Sequence, residues 1–241
     1  MKVAVVTGAA KGLGADIALH LSKNGYAVVV HYKSSKAEAE NLLAEIKKTS
    51  PKSICFSADL KNEEEVADLF KKVNEQFDSL DLIINNVGNF LYKEFGKTTN
   101  SEFKDLLESN IYSTLFCSRE ALKIMREQKS GHIINIGAVG AERLIIRENS
   151  MPYFLGKTGI YVLTKTMAWE EAKNGIHINM ISPASLVADI FDATDFPMGR
   201  SAKYSDVISA IDFLTSDEAY YINGANIEVS GGFVPGMAKS E

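Results

Sequence analysis

The chain has 241 residues, of which 46% are hydrophobic and 24% charged, and carries a formal net charge of -5 at pH 7. That length buries a sizeable α/β core, and the composition is that of a soluble globular protein. The acidic balance argues against nucleic acid as the main partner, which would require clustered Lys and Arg, and no apolar run is long enough to span a bilayer.

The stretch Val3-Ala4-Val5-Val6-Thr7-Gly8-Ala9-Ala10-Lys11-Gly12-Leu13-Gly14 reads as a buried, Val-rich strand that runs straight into a helix ending at Lys23. Because this strand starts directly after Met1 and Lys2, no leader peptide is expected. The glycines stand where strand becomes helix. A side chain there would keep a pyrophosphate from the backbone N–H groups, and the helix N-terminus adds the positive end of its dipole. The spacing is G-x-x-x-G-x-G, with a longer first step than the G-x-G-x-x-G dinucleotide fingerprint.

A regular alternation follows: a strand at 27–31, a charged amphipathic helix at 36–48, a strand at 53–57 and a helix over about 62–77. Asn62 is placed as its N-cap with Glu65 completing a capping box, and Glu63-Glu64-Glu65 and Lys71-Lys72 are assigned to the two ends of the helix dipole on a solvated face. Next come a strand at 82–85, an irregular stretch to about 100, one helix over 101–128, a strand at 132–136 and a helix over 152–173. The order ends with a strand at 176–181, a helix at 204–215, and a strand at 226–229 before Gly231-Gly232. Strands separated by helices of this length require right-handed parallel crossovers, which predicts an α/β, doubly wound sheet with a ligand crevice at the carboxyl ends of its strands. No linker or repeat interrupts it, so a single domain over 1–241 is expected. Cys55 and Cys117 form no C-x-x-C pair and lie in apolar segments, so both are expected to be buried reduced thiols, as in the cytoplasm. His20, His31, His132 and His177 have no ligand spacing with one another or with Cys, so no metal is expected.

Tyr153 and Lys157 are four apart on a predicted helix and share a face. An ammonium beside a phenol favours the phenolate, which is what an acid/base group near neutral pH requires. By itself that spacing equally fits an ordinary exposed helix pair. Its context is the glycine turn, Asn85-Asn86 at a strand end, Asn110 inside a long helix, and His132-Ile133-Ile134-Asn135-Ile136.

Taken together, Thr7-Gly8-x-x-x-Gly12-x-Gly14, Asp59, Asn85-Asn86-x-Gly88, Asn110, Tyr153-x-x-x-Lys157 and Gly231-Gly232 resemble the short-chain dehydrogenase/reductase family from Lys2 to about Phe233. The resemblance implies a Rossmann fold with a mainly parallel sheet of about seven strands, and an NAD(P)-dependent oxidoreductase. It implies that Tyr153 donates a proton to the substrate oxygen, that Lys157 lowers the phenol pKa and binds the nicotinamide ribose, and that Asn110 holds a relay water behind Lys157. Asp59 would accept from the adenine amino group. The cofactor site would comprise Gly8, Lys11, Gly12, Leu13 and Gly14; Tyr32, Lys33 and Ser34; Asp59 and Leu60; Asn86, Val87 and Gly88; Tyr153, Lys157 and Pro183. Read without it, Asp59 is a cap, 85–88 a turn and Asn110 a helix-surface amide.

Family members that prefer NAD usually carry an acid at the end of the second strand. Here that end reads His31-Tyr32-Lys33-Ser34-Ser35, and Lys11 lies in the glycine turn on the same side, so NADPH is predicted over NADH. The pattern breaks at Ala138, where the family has a Ser that hydrogen-bonds the substrate oxygen. Loss of one such donor costs roughly 3 to 4 kcal/mol in the transition state. Ser150 is a nearby hydroxyl that would replace it. After the sixth strand the chain reads Pro183-Ala184-Ser185-Leu186-Val187-Ala188, without the usual Gly and Thr, and the segment to Pro197 predicts a reduced lid.

The closest pattern is that of the 3-oxoacyl-carrier-protein reductases, with pteridine-reductase-like features in the first half, where Phe90 matches a Phe that stacks on the pterin. Against the latter, those enzymes carry an Asp at the position of Ala138. The leading expectation is an NADPH-dependent reductase of a small-molecule or carrier-bound acyl carbonyl. The alternative, motivated by Ala138, Ala184 and Ala188, is a nucleotide-binding protein with little catalysis. Segments 111–125 and 160–169 are apolar over more than one face, which predicts a homo-oligomer, and the resemblance implies a dimer or tetramer.

Overall fold

The structure, a computed structural model, describes residues 1–144, 148–186 and 196–234. Seven strands among these residues form one sheet: β1 (Lys2–Val6), β2 (Tyr26–Tyr32), β3 (Ile54–Ser57), β4 (Leu82–Asn85), β5 (Gly131–Ile136), β6 (Ile176–Pro183) and β7 (Asn226–Val229). Their order is β3-β2-β1-β4-β5-β6-β7 and every pairing is parallel. The helices are α1 (Gly12–Lys23), α2 (Lys36–Ile46), α3 (Glu63–Gln76), α4 (Asn100–Leu107), α5 (Ser113–Gln128), α6 (Met151–Glu171) and α7 (Tyr204–Leu214).

Side chains alternate across a strand, so an apolar run fills both faces. Val3 and Val5 of β1 pack with Val66, Phe70, Cys117 and Met167 on the face covered by α3, α5 and α6. Ala4 and Val6 pack with Ile17, Leu21, Val207 and Ile211 on the face covered by α1, α2 and α7. The strand order reverses between β1 and β4, and at that switch point the carboxyl ends open a crevice.

Three local expectations are corrected. Asn62 does cap α3, accepting from the N–H groups of Glu64 and Glu65, but no capping box closes. The Asn62 N–H already donates to the Asp59 carbonyl at 2.9 Å, so Glu65 instead accepts the Asp59 N–H at 2.7 Å, where the chain leaves β3. Lys71 and Lys72 lie mid-helix, paired with Glu75 and Asp68, and leave the last turn of α3 without a basic residue. The single helix over 101–128 is broken by a π-turn, Glu108–Tyr112, between α4 and α5. Asn110 in this turn and Ser113 directly after it bond local carbonyls: Asn110 Nδ2 donates to Leu106 O at 3.0 Å, and Ser113 Oγ to Ser109 O at 2.6 Å.

Cys117 is buried and burial pushes its thiol pKa up, whereas Cys55 is only half-buried, on the edge strand β3. No helix among the described residues is long and apolar enough to cross a membrane. Val187, Ala188 and the lid segment before Phe196 lie outside the described residues.

Candidate active site

Thr7 ties the glycine turn to β4. Its Oγ1 donates to Ile84 O and accepts the N–H groups of Asn86 and Val87 at 2.8 and 3.2 Å. Asn86 closes the tie, donating from Nδ2 to the carbonyls of Thr7 and Gly8. Its side chain therefore braces the turn. At Gly14 a Cβ would stand 2.4 Å from Gly8 O, so only glycine permits this approach. Leu13 is buried behind it. Lys11, at the N-cap of α1, supplies no side-chain cap, and the first turn holds no acid, so the head of the helix is left to an anion.

Beside the turn lies a cavity of about 170 Å³ whose wall includes Gly8, His31, Lys33, Asp59, Leu60 and Val87. Two ion pairs frame it. Lys33 Nζ meets Asp59 Oδ2 at 2.7 Å, and Lys61 Nζ meets Asp105 Oδ1 at 2.8 Å. Asp59 also accepts the Lys61 N–H, and Asp105 also accepts from Asn89 Nδ2 at 2.7 Å. Lys11, outside the cavity wall, pairs with Glu38 of α2 at 2.7 Å. Tyr32 is half-buried and Ser34 exposed at the end of β2.

At the other end of the crevice, α6 presents Tyr153 and Lys157 one turn apart. Lys157 is only 4% exposed; its Nζ donates to Ile136 O at 2.9 Å and lies 5.5 Å from the centre of the Tyr153 ring. Burial pulls its pKa down to about 8. Asn110, in the π-turn, is fully buried rather than a helix-surface amide, and its Nδ2 donates to the carbonyls of Leu106 and Asn89. Its Oδ1 has no hydrogen-bond partner among the described residues. A Cβ on Gly88 would lie 2.4 Å from that oxygen and 3.1 Å from Lys157 Nζ, so the bare backbone of Gly88 is what lets both groups converge. Asn110, Gly88, Lys157 and Tyr153 thus form one cluster.

Phe90 sets its ring edge-on to Tyr153, centroids 4.9 Å apart, and remains 46% exposed, so it borders the opening. Ala138 is buried past the end of β5, where the flanking N–H groups of Gly137 and Val139 donate to Ile181 and Pro183 carbonyls. Ser150, at the N-cap of α6, is fully buried and its Oγ donates to Glu148 O at 3.3 Å. Sequence reading missed His31, Lys61, Asn89 and Asp105. Asn89 follows Gly88 directly, which is a usable signal; the others become visible only through partners distant in the chain.

A family model described as enoyl-(acyl carrier protein) reductase matches residues 8–234. The chain belongs to the short-chain dehydrogenase/reductase family. Among its curated relatives, 3-oxoacyl-acyl-carrier-protein reductase of Staphylococcus aureus is 36% identical, covering 96% of this chain and 97% of that one. The 3-oxoacyl-acyl-carrier-protein reductase of Synechocystis is 31% identical over 97% of both. The crystal structure of a candidate gluconate dehydrogenase from Agrobacterium tumefaciens superposes with a TM-score of 0.90 at 27% identity, over 96% of this chain and 95% of that one. This short-chain dehydrogenase/reductase is accordingly a nicotinamide-dependent, carbonyl-reducing oxidoreductase. Its residues fit such a cofactor: the Gly14 cradle that a Cβ would fill and the uncapped head of α1 suit a pyrophosphate, and the adjoining cavity suits a nucleoside.

Proposed function

We propose that the chain uses NADPH to reduce the keto group of a 3-oxoacyl thioester, carried on a protein or a small molecule, as one cytoplasmic domain that assembles into a homo-oligomer. The observation that carries the chemistry is the buried Lys157 ammonium, held between the Ile136 carbonyl and the face of Tyr153 and meeting the open Asn110 Oδ1 across Gly88. A bound nicotinamide supplies the hydride to the carbonyl carbon. Tyr153 gives its hydroxyl proton to the substrate oxygen as that oxygen gains charge, so the carbonyl becomes an alcohol. The Lys157 charge stabilises the phenol oxygen left negative. Asn110 Oδ1 and Lys157 Nζ suit a water that returns a proton from solvent.

For the cofactor end, Lys33 supports NADPH: its ammonium, paired here with Asp59, would hold the 2'-phosphate, and Asp59 would accept from the adenine amino group. Lys11, paired here with Glu38, would add a second cation for that phosphate. Pro183, Tyr32 and Ser34, which lie outside the cavity wall, would add contacts along the rest of the dinucleotide.

Ala138 supports a second reading, a dinucleotide-binding protein with weak turnover. One assay separates the two. NADPH and NADH oxidation is followed with 3-oxoacyl thioesters, diketones and dihydropterins, the last because Phe90 borders Tyr153. On the first reading NADPH outruns NADH, Tyr153→Phe lowers kcat by about a hundredfold or more, and Ala138→Ser raises it, the missing donor being worth about a hundred- to a thousandfold. Unchanged turnover in Tyr153→Phe would sink the mechanism. NADPH binding with no oxidation by any of the panel would favour the second reading.

A further inference from the structure

The imidazole of His31 is 1% exposed, at the end of β2, and both of its nitrogens meet backbone. Nδ1 lies 3.0 Å from the Gly8 nitrogen and Nε2 lies 3.0 Å from the Ala58 carbonyl oxygen, while the His31 carbonyl accepts the Ala9 N–H at 2.8 Å. Gly8 belongs to the glycine turn after β1 and Ala58 to the turn after β3. These two turns, with His31 between them, wall the nucleoside cavity.

The bonding fixes the chemistry. Gly8 offers only a donor there and Ala58 only an acceptor, so the ring must accept at Nδ1 and donate at Nε2, which only the neutral Nε2–H tautomer does. A proton on Nδ1 would set two donors against each other at 3.0 Å. We propose that His31 is a positioning residue for dinucleotide binding, whose neutral imidazole pins the glycine turn to the β3 turn, and whose protonation releases that turn and weakens the cofactor. This rests on the reading of the crevice as the cofactor site.

The charged groups sharing the cavity wall are Lys33 from the end of β2, Asp59 and Lys61 from the β3 turn and Asp105 from α4, and these form two closed ion pairs. The glycine turn brings Lys11, paired with Glu38 of α2. Burial lowers the His31 pKa below its ordinary 6.5, opposed by the Ala58 bond and by Asp59, so the neutral ring is the native form at neutral pH.

The test is calorimetric binding of NADP⁺ to the full chain between pH 7.5 and 5, with ¹⁵N resonances of the His31 ring recorded across the same range. Wild type should show the Nε2–H tautomer at neutral pH and lose affinity as the ring protonates. His31→Leu removes both bonds and should weaken binding about tenfold or more at pH 7.5, raising KM for the dinucleotide with kcat at saturation unchanged. His31→Gln, which can accept from Gly8 and donate to Ala58, should rescue most of that affinity. A phosphate monoester itself titrates near about pH 6, so part of any acid loss belongs to the ligand. The Gln variant keeps that part and should lack the rest.

An acid loss equal in wild type and His31→Gln, an Nδ1–H tautomer, or His31→Leu binding as tightly as wild type would each overturn the proposal. If wild type binds no dinucleotide at any pH, the reading of the site has failed. Gly8 amide exchange then decides the pinning alone: faster in His31→Leu than in wild type and His31→Gln upholds it, and equal rates in all three overturn it.

Discussion

Lys157 carries its charge where solvent scarcely reaches, and that placement has a thermodynamic cost. Its pKa falls from 10.5 to about 8 through burial, so keeping the proton at pH 7 costs roughly 3 kcal/mol at about 1.36 kcal/mol per unit. The unfolded chain holds that proton up to pH 10.5 while the folded chain releases it near 8. This group therefore penalises folding in full below pH 8, and the penalty declines as pH rises from 8 towards 10.5. Replacing Lys157 by Met removes the penalty and leaves the Ile136 carbonyl without its donor, a loss of about 1–3 kcal/mol. The two nearly cancel. Thermal unfolding of Lys157→Met should therefore show a Tm equal to or above that of wild type, while NADPH-dependent kcat drops by about a hundredfold or more. A marked drop in Tm would mean that the ammonium is there for structure, and the catalytic assignment would lose its main support.

Among the elements, the π-turn between α4 and α5 is where fold and site meet. It carries Asn110 inward, and the hydrogen bonds around it run outward: Asn110 to the Asn89 carbonyl, Asn89 Nδ2 to Asp105, and Asp105 to Lys61 of the β3 turn. Asp105 is half-exposed, so Asp105→Ala should change stability by no more than about 1 kcal/mol. It frees Asn89, whose carbonyl holds Asn110, and should lower kcat about tenfold; equal kcat in variant and wild type would place Asp105 outside the site. None of this chain of contacts was readable from spacing, since Lys61 and Asp105 lie on different elements far apart in sequence.

What was readable is what a local pattern dictates. The apolar run of β1 marked a buried strand, the alternation of strands with long helices marked a parallel sheet, and the glycine turn marked a pyrophosphate site. The four-residue step from Tyr153 to Lys157 put both on one helix face. A π-turn has no such pattern: Asn110 and Ser113, whose side chains bond nearby carbonyls there, look ordinary in a helical stretch. Likewise His31 ended a strand without a ligand-like neighbour; its partners, Gly8 and Ala58, come from other turns and are backbone groups that the sequence cannot distinguish.

At the scale of the whole molecule, an apolar stripe remains on the outside. Leu155, Val162 and Trp169 recur every seven residues along α6, so they line one side of it, and Val162 is 56% and Trp169 87% exposed. Tyr112, also exposed, stacks on Phe116 of α5 with centroids 5.8 Å apart. A seven-residue apolar repeat on a long helix suits a second helix crossing at a shallow angle, and two copies of α6 meeting across a two-fold axis supply one. Because Trp169 is the sole tryptophan, it reports its own burial. Its emission should lie to the blue at high protein concentration and move to the red on dilution, in step with a fall in mass by sedimentation velocity. Val162→Glu puts a carboxylate in the middle of the stripe; it should remain monomeric and emit to the red at every concentration, with circular dichroism unchanged. Wild type sedimenting as a monomer throughout would remove α6 as an interface and leave its stripe merely exposed.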